Sequence, residues 1–564
     1  MDRRFFLALL LSGAVVILTP LIFGRPLRQP VTPLPVVSTA NTIPGSAAGS
    51  QPPGAAPVTS APVTSPAATA AIAGETLSLG NALTTLRFST VGAALHAVDL
   101  PRYAQLGGRE GTVQLRDAEA PMVRHRLIAG GDTIPVDRTV FGAVREFTAN
   151  GERLIMTGAV AGGTLSIAYT MTKDNYVTQV EVRAEGFPAP AFLLTDLPSS
   201  FVSQEADSAE DYRHFAYALK PAVGGAERVD FRKPDPGERL LQPGPLTWAV
   251  AKSKYFLVGV VAPAGAESPF AELQVTGAMR VNRVASRAHA TVVSPLGSGV
   301  VRYELYAGPQ EWERLVAMGR AFENANPYGG FISGIVQPFA TIVMRILLWA
   351  KRTTALEYGW ILVLFGIAIR LLMWPLNSRM LRTSLKMQRL APAIQAAQAA
   401  AKAKHPNDPA AQQQALMKVY NEHGVSPLGQ LSGCLPLLLT MPVLFALFFV
   451  FQNTIEFRGV SFLWLPDITL MDPYYIVPLA MGGSMYLTMW LGMRNAPPNP
   501  QQKMMSWMMP VVMTAVLFKF ASGLNLYYTV QNLAALPQQW LIANERGKAG
   551  PVATIADGGE RKKR

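Results

Sequence analysis

One arginine stands where an arginine is costliest to keep. Arg370 falls inside Trp360-Ile-Leu-Val-Leu-Phe-Gly-Ile-Ala-Ile-Arg370-Leu-Leu-Met-Trp374, an otherwise apolar run. If that run crosses a bilayer, the charge costs about 2.5–3.5 kcal/mol on insertion scales and ten or more in simulations. Arginine cannot shed its proton as a buried lysine can. It must therefore face water, a carboxylate or many carbonyls, and no Asp or Glu lies within the other apolar runs. A hydrated intramembrane cavity is the simplest resolution; the alternative is a side chain that snorkels to headgroups about 10 Å away near Asn377. Thr514, Asn525, Thr529 and Asn532, with Gln531, are compatible with such a hydrophilic groove, although polar side chains also join helices in bilayers. Methionines are concentrated nearby. Met481, Met485, Met489 and Met493 recur every four residues, and Met504, Met505, Met508, Met509 and Met513 crowd the next run. Their flexible thioethers suit either the binding of many apolar partners or core packing.

Bond-making chemistry has no comparable footing. Paired carboxylates, a metal-ligand cluster, a Gly-rich phosphate loop and a Ser-His-Asp arrangement are all missing from the apolar runs. His96, His125, His214 and His289 are scattered, with nothing marking any as catalytic. The single cysteine, Cys434, excludes an intrachain disulfide and a thiolate cluster, and reads as a small buried residue. The chain is expected to be no enzyme, with no catalytic residue, cofactor or metal.

The elements that position Arg370 follow from composition and period. The 564 residues are 49% hydrophobic and 15% charged, with a formal charge of +13. Basic and acidic residues nearly cancel between Arg25 and Glu313, so the excess accompanies the apolar runs at the two ends. That is the positive-inside pattern of a membrane protein rather than a nucleic-acid footprint, and no DNA partner is expected. Residues 1–24 read as a transmembrane anchor behind Arg3 and Arg4; a cleaved signal peptide is the alternative, but the apolar run is long and Gly24-Arg25-Pro26 lacks the small-x-small pattern. Residues 25–74 form a Pro/Ala/Thr/Ser tether, with Ala-Pro-Val-Thr-Ser twice in tandem, too apolar-poor to fold. Residues 75–320 change to period two. Leu165, Ile167, Tyr169 and Met171 share a face, Lys173-Asp-Asn175 turns the chain, and Val180 and Val182 alternate with charges, which predicts a hairpin within a large all-β sandwich.

Helical periods follow. Residues 357–376, 430–452, 473–492, 504–520 and 524–543 are candidate transmembrane helices, separated after the first by a basic, Ala/Gln-rich helical hairpin at 377–426. Residues 327–352 are ambiguous. Ser333, Gln337, Thr341 and Arg345 make a polar stripe opposite Ile335, Phe339, Ile342 and Ile346, as on a helix lying in the interface. Parity decides for the flat helix, because only then do the basic hairpin and the basic tail at 544–564 share the cytoplasmic side. The fold class is a polytopic α-helical membrane protein of six spans with a periplasmic all-β sandwich, both termini cytoplasmic, in the inner membrane.

The order of parts and the local motifs resemble the YidC membrane insertases of Gram-negative bacteria. The motifs are Ile369-Arg370 with Trp374-Pro375-Leu376; Lys386-Met387 with Leu390-Ala-Pro392; Pro427-Leu428-Gly429; Gly433-Cys434-Leu435-Pro436; Met441-Pro442; Asp472-Pro473-Tyr474-Tyr475; Gln501-Gln502-Lys503-Met504; and Ser522-Gly523-Leu524 with Leu526-Tyr527-Tyr528. The resemblance implies a five-helix insertase core with a hydrophilic groove open to cytoplasm and lipid. In it Arg370 is the groove arginine, and Met441, Leu444, Tyr527 and Tyr528 contact substrate, with Met505, Met508 and Met509 as further candidates. It implies nascent inner-membrane proteins as clients, and SecYEG and SecDF as translocon partners. The basic hairpin and tail would meet the ribosome, the targeting machinery and anionic lipids, or only enforce topology. Two departures stand out: three extra residues, Gln430-Leu-Ser432, and Lys519 where the family is apolar or aromatic. A small-solute transporter or an anchored β-domain enzyme are the rival classes; neither inverted repeats nor motifs inside the β-domain support them.

Overall fold

The computed structural model describes residues 74–148, 151–278, 280, 287–326, 328, 333–404, 408, 410, 414, 417, 418, 435–494 and 500–548. The expected anchor, the tether up to residue 73, most of the hairpin's second arm, Gln430–Ser432, Cys434 and the basic tail from 549 lie outside them.

Strands between Thr76 and Pro309 form antiparallel sheets of four, nine and six strands around one apolar core. The period-two residues explain the layering. Strand Gly163–Thr172 pairs with Val177–Glu185 so that Tyr169 faces Val180 and Ile167 faces Val182, and all four are buried. Their neighbours in sequence point the other way, where Glu181 accepts from Arg183 and Arg302 at 2.6 Å each. A one-residue slip would put charge in the core, which pins the register.

Six long helices follow among the described residues: α1 (Ser333–Thr354), α2 (Tyr358–Lys404), α3 (Leu435–Asn453), α4 (Ile476–Met493), α5 (Pro500–Leu517) and α6 (Ser522–Lys548). Among the described residues, three stretches are long and apolar enough to cross a membrane: α1, Tyr358–Ser378 of α2, and α4. Shorter apolar stretches occupy Pro442–Asn453 of α3 and Lys503–Leu517 of α5. The sequence divides α2 at 376, between a span and a hairpin arm. The structure instead runs one helix of 47 residues, about 70 Å long at 1.5 Å per residue. Residues 377–404 are dominated by Ala, Gln, Lys, Arg, Leu and Met, strong helix formers that carry the helix through Pro392.

Helix α1 has three faces. Val336, Ala340, Val343, Met344 and Leu347 are buried, while Ile335, Phe339, Ile342, Ile346 and Trp349 are exposed. The polar stripe meets the end of the β-domain. The Gln337 side-chain Oε1 accepts the Tyr328 N–H at 2.7 Å, Arg345 lies over the Trp312 ring, and Arg352 pairs with Glu313 at 2.9 Å.

The segment between α3 and α4 closes the join. Arg458 donates through Nε to both oxygens of Glu205, at 3.0 and 2.8 Å, and through Nη1 to the Ala104 carbonyl. The two charged side chains are only 4% and 7% exposed. Buried Lys252 donates to Asn326, whose amide donates to the Asn453 carbonyl at 3.0 Å. Burial holds the Lys252 ammonium well below its ordinary pKa.

Candidate functional site

Arg370 sits twelve residues into α2, half-buried. Its Nη2 donates to the side-chain Oε1 of Gln538 on α6 at 2.9 Å. Gln538 is itself almost fully buried, and its Nε2 donates to the Trp374 carbonyl at 3.1 Å and to Ser378 Oγ at 2.8 Å. Residues 370, 374 and 378 recur every four positions, so one stripe of α2 is laced to one amide of α6. Among the described residues Arg370 has no carboxylate partner, and its Nε is enclosed without an acceptor. The counter-group is thus a neutral glutamine. Sequence reasoning missed Gln538; the available signal was its place on the stripe Tyr527, Gln531, Gln538.

That stripe faces α2 along its length. Tyr527 is buried, its ring 6.0 Å from that of Phe365, and its hydroxyl accepts from Gln531 at 2.7 Å. Gly366 allows the approach: a Cβ there would lie 3.2 Å from Val530 and 3.5 Å from Tyr527. Tyr528 stands edge-on to Tyr527 at 5.7 Å, its hydroxyl enclosed and without a partner among the described residues.

The other predicted groove residues lie elsewhere. Asn532 donates to Ser484 Oγ of α4 at 3.2 Å, and the Asn532 carbonyl accepts from Thr488 at 3.2 Å. At about 100° per residue, Asn532 lies some 120° around α6 from Gln538. Asn525 is fully buried and donates to the Leu517 carbonyl at 3.0 Å, closing the C-terminal end of α5. Thr529 and Thr514 donate back to the carbonyls of Asn525 and Pro510 in their own helices, at 2.8 and 2.7 Å. The structure therefore brings Arg370 together with Gln538, and sets Asn525, Thr529 and Asn532 on another face.

Apolar candidates divide similarly. Met481 is buried and Met485, Met489 and Met493 half-buried, which makes the stripe a packing seam. Met505 and Met508 are exposed, Met509 and Leu444 half-buried, and Met441 lies on α3 with its side chain outside the described residues.

The fold and this seam define a multi-helix membrane protein carrying a large β-domain, with a cation held among its apolar helices. Two family models cover most of that architecture: residues 76–342 match the YidC periplasmic domain, and residues 349–549 match the 60Kd inner membrane protein. The chain belongs to the YidC family. A membrane protein insertase YidC from Anaeromyxobacter dehalogenans (strain 2CP-C) is 29% identical over 576 positions, covering 98% of this chain and 99% of its own. One from Chlorobaculum parvum is 26% identical, covering 86% and 85%. A crystal structure of an active YidC insertase with its first transmembrane domain resolved aligns over 83% of this chain and 93% of its own, at 17% identity and a TM-score of 0.33.

Proposed function

We propose that this protein inserts the transmembrane segments of newly made proteins into the inner membrane, through a hydrophilic groove centred on Arg370. The observation that carries the reading is a permanent cation in an apolar helix, held by an amide rather than a carboxylate. A guanidinium has five N–H donors, and Gln538 takes one. Water drawn to the rest lowers the cost of carrying a short polar segment into the bilayer. The net positive charge also attracts acidic segments, which a salt-bridged arginine would not. Apolar segments would then leave over Leu444, Met505, Met508 and Met509, with Met441, Tyr527 and Tyr528 shaping the wall. Insertion makes and breaks no covalent bond, so no catalytic residue or cofactor enters it.

Six spans fit this reading: 1–24, 357–376, 430–452, 473–492, 504–520 and 524–543, with both termini in the cytoplasm and the β-domain in the periplasm. Helix α1 would then lie flat at the membrane surface. Its contacts at Gln337, Arg345 and Arg352 all meet residues 312–328. These positions spread about 22 Å along the helix, so α1 runs beside the end of the β-domain instead of leaving it. The basic cytoplasmic face would engage the ribosome, the targeting machinery and anionic lipids, and SecYEG and SecDF would be translocon partners.

Photocrosslinkers at Leu444 and Met505 test the assignment. They should capture a nascent membrane protein, while one at exposed Val144 of the β-domain should not. Equal capture at all three positions would refute it.

A further inference from the structure

A second cleft lies away from Arg370, between α4 and α5. It encloses about 1070 Å³. Leu479, Gly483 and Tyr486 of α4 face Trp507, Val511 and Val516 of α5 across it. The two helices approach closely where Thr514 fills the place a Cβ on Gly482 would take. One turn position later Gly483 is open, with nothing within 4 Å of a built Cβ. The glycine pair thus brings the helices together and leaves a slot beside the contact.

The slot has the depth of one leaflet. From Trp507 to Val516, the α5 residues that line it, the helix rises about 14 Å, close to half of a ~30 Å hydrocarbon core. It occupies the half of α4 and α5 nearest the β-domain. Its rim carries the stacked rings of Tyr475 and Phe518, centroids 4.2 Å apart, at the end of the bundle where Tyr474 and Trp464 are exposed. Exposed aromatics of this kind mark the headgroup level.

Lys519 stands on that rim, among the residues lining the slot. It is exposed and has no hydrogen bond or ion pair among the described residues. The acids at this end of the bundle are already engaged. Asp467 accepts from Gly459 and Thr469, and Asp472 from Trp464, Tyr474 and Val477.

We infer that this slot is a binding site for one anionic phospholipid of the leaflet nearest the β-domain, with an acyl chain beside Gly483 and the phosphate on Lys519. A spanning helix, roughly 10 Å wide and 30 Å long, fills about 2400 Å³ and is twice as deep. The free ammonium at one end of an otherwise apolar slot matches a headgroup over a chain. Lipid here would set the spacing of α4 and α5, and so the position of the α6 seam packed on α4.

Native mass spectrometry of the full chain, released from micelles containing phosphatidylglycerol or phosphatidylcholine, tests this without reference to insertion. The parent should retain phosphatidylglycerol about fivefold more than phosphatidylcholine, the effect of one interfacial lysine. Lys519→Gln should abolish that preference and keep residual lipid. Gly483→Phe, which fills open space, should remove the bound lipid of both kinds. Retention unchanged in both variants would overturn the site. So would a photocrosslinker at Gly483 that captures a nascent chain or a second copy of the protein instead of lipid.

Discussion

Arg458→Ala should loosen the β-domain from the helices by a large and readable amount. Arg458 and Glu205 are almost completely enclosed, and Asp211, also buried, lies on the same side with its carboxylate on the Lys254 N–H. Removing the guanidinium leaves Glu205 buried beside a second carboxylate, with the Lys254 ammonium as the remaining nearby cation. Breaking a buried pair from one side costs about 3–5 kcal/mol, most of it from the stranded charge. At 1.36 kcal/mol per decade, amides that exchange by local opening of this joint should speed up by roughly two to three and a half orders of magnitude. The amides to follow are Gly459, bonded to Asp467 at 2.9 Å, and Ile468, bonded to the Val460 carbonyl at 2.9 Å. A Glu205→Met/Arg458→Met double variant removes both charges at similar volume and should exchange close to the parent. Hydrogen exchange on the detergent-solubilised chain measures all three. If Arg458→Ala stays within tenfold of the parent, the pair behaves as a solvated one, worth at most about 1 kcal/mol, and the buried-clamp argument fails.

Burial raises Glu456 to about 7, with Glu311 and Glu313 adding to the shift against the Trp312 N–H that donates to its Oε1. A carboxyl raised in the folded state favours the joint when protonated, so the contribution is complete below about pH 4.5 and is lost as pH rises through 7. Exchange around residues 455–460 should quicken across that window by an amount below about 3.5 kcal/mol, and Glu456→Gln should flatten the dependence. Arg370→Ala should lower stability by less than about 2 kcal/mol, since Gln538 keeps both of its N–H bonds, yet abolish insertion of charged-tail substrates. Arg370→Lys should retain much activity, with melting in detergent and protease protection of a translocated tail as the paired readouts. Asn525→Leu strands the Leu517 carbonyl and should cost about 1–3 kcal/mol of stability, while the surviving folded protein inserts normally. Deleting residues 75–307 while keeping α1 should leave complementation of a depleted strain largely intact; failure at normal membrane levels would assign the β-domain an essential part.

Period is sufficient where an element is decided by its neighbours in the chain. The hairpin at 163–185 is legible from alternation alone, since Leu165, Ile167, Tyr169 and Met171 can be buried together only in one register. The continuity of α2 past 376 was not, because a change from apolar to basic composition alters what surrounds a helix without ending it. The polar seam divides in the same way. Arg370 is conspicuous in sequence because its cost is fixed by its own charge and depth. Gln538 is not, because a glutamine near the end of a span reads the same whether it faces lipid headgroups, water or a guanidinium. What selects it is rotation about α6. Asn525, Thr529 and Asn532 recur at spacings of four and three, and Asn532 and Asn525 meet α4 and the end of α5, whereas Tyr527, Gln531 and Gln538 recur at four and seven, and Tyr527 and Gln538 meet α2. Polar groups on one helix thus serve two purposes at once, one stripe binding the bundle together and the other holding the cation. Sequence composition counts both stripes in one pool; only the packing of α6 between α2 and α4 separates them.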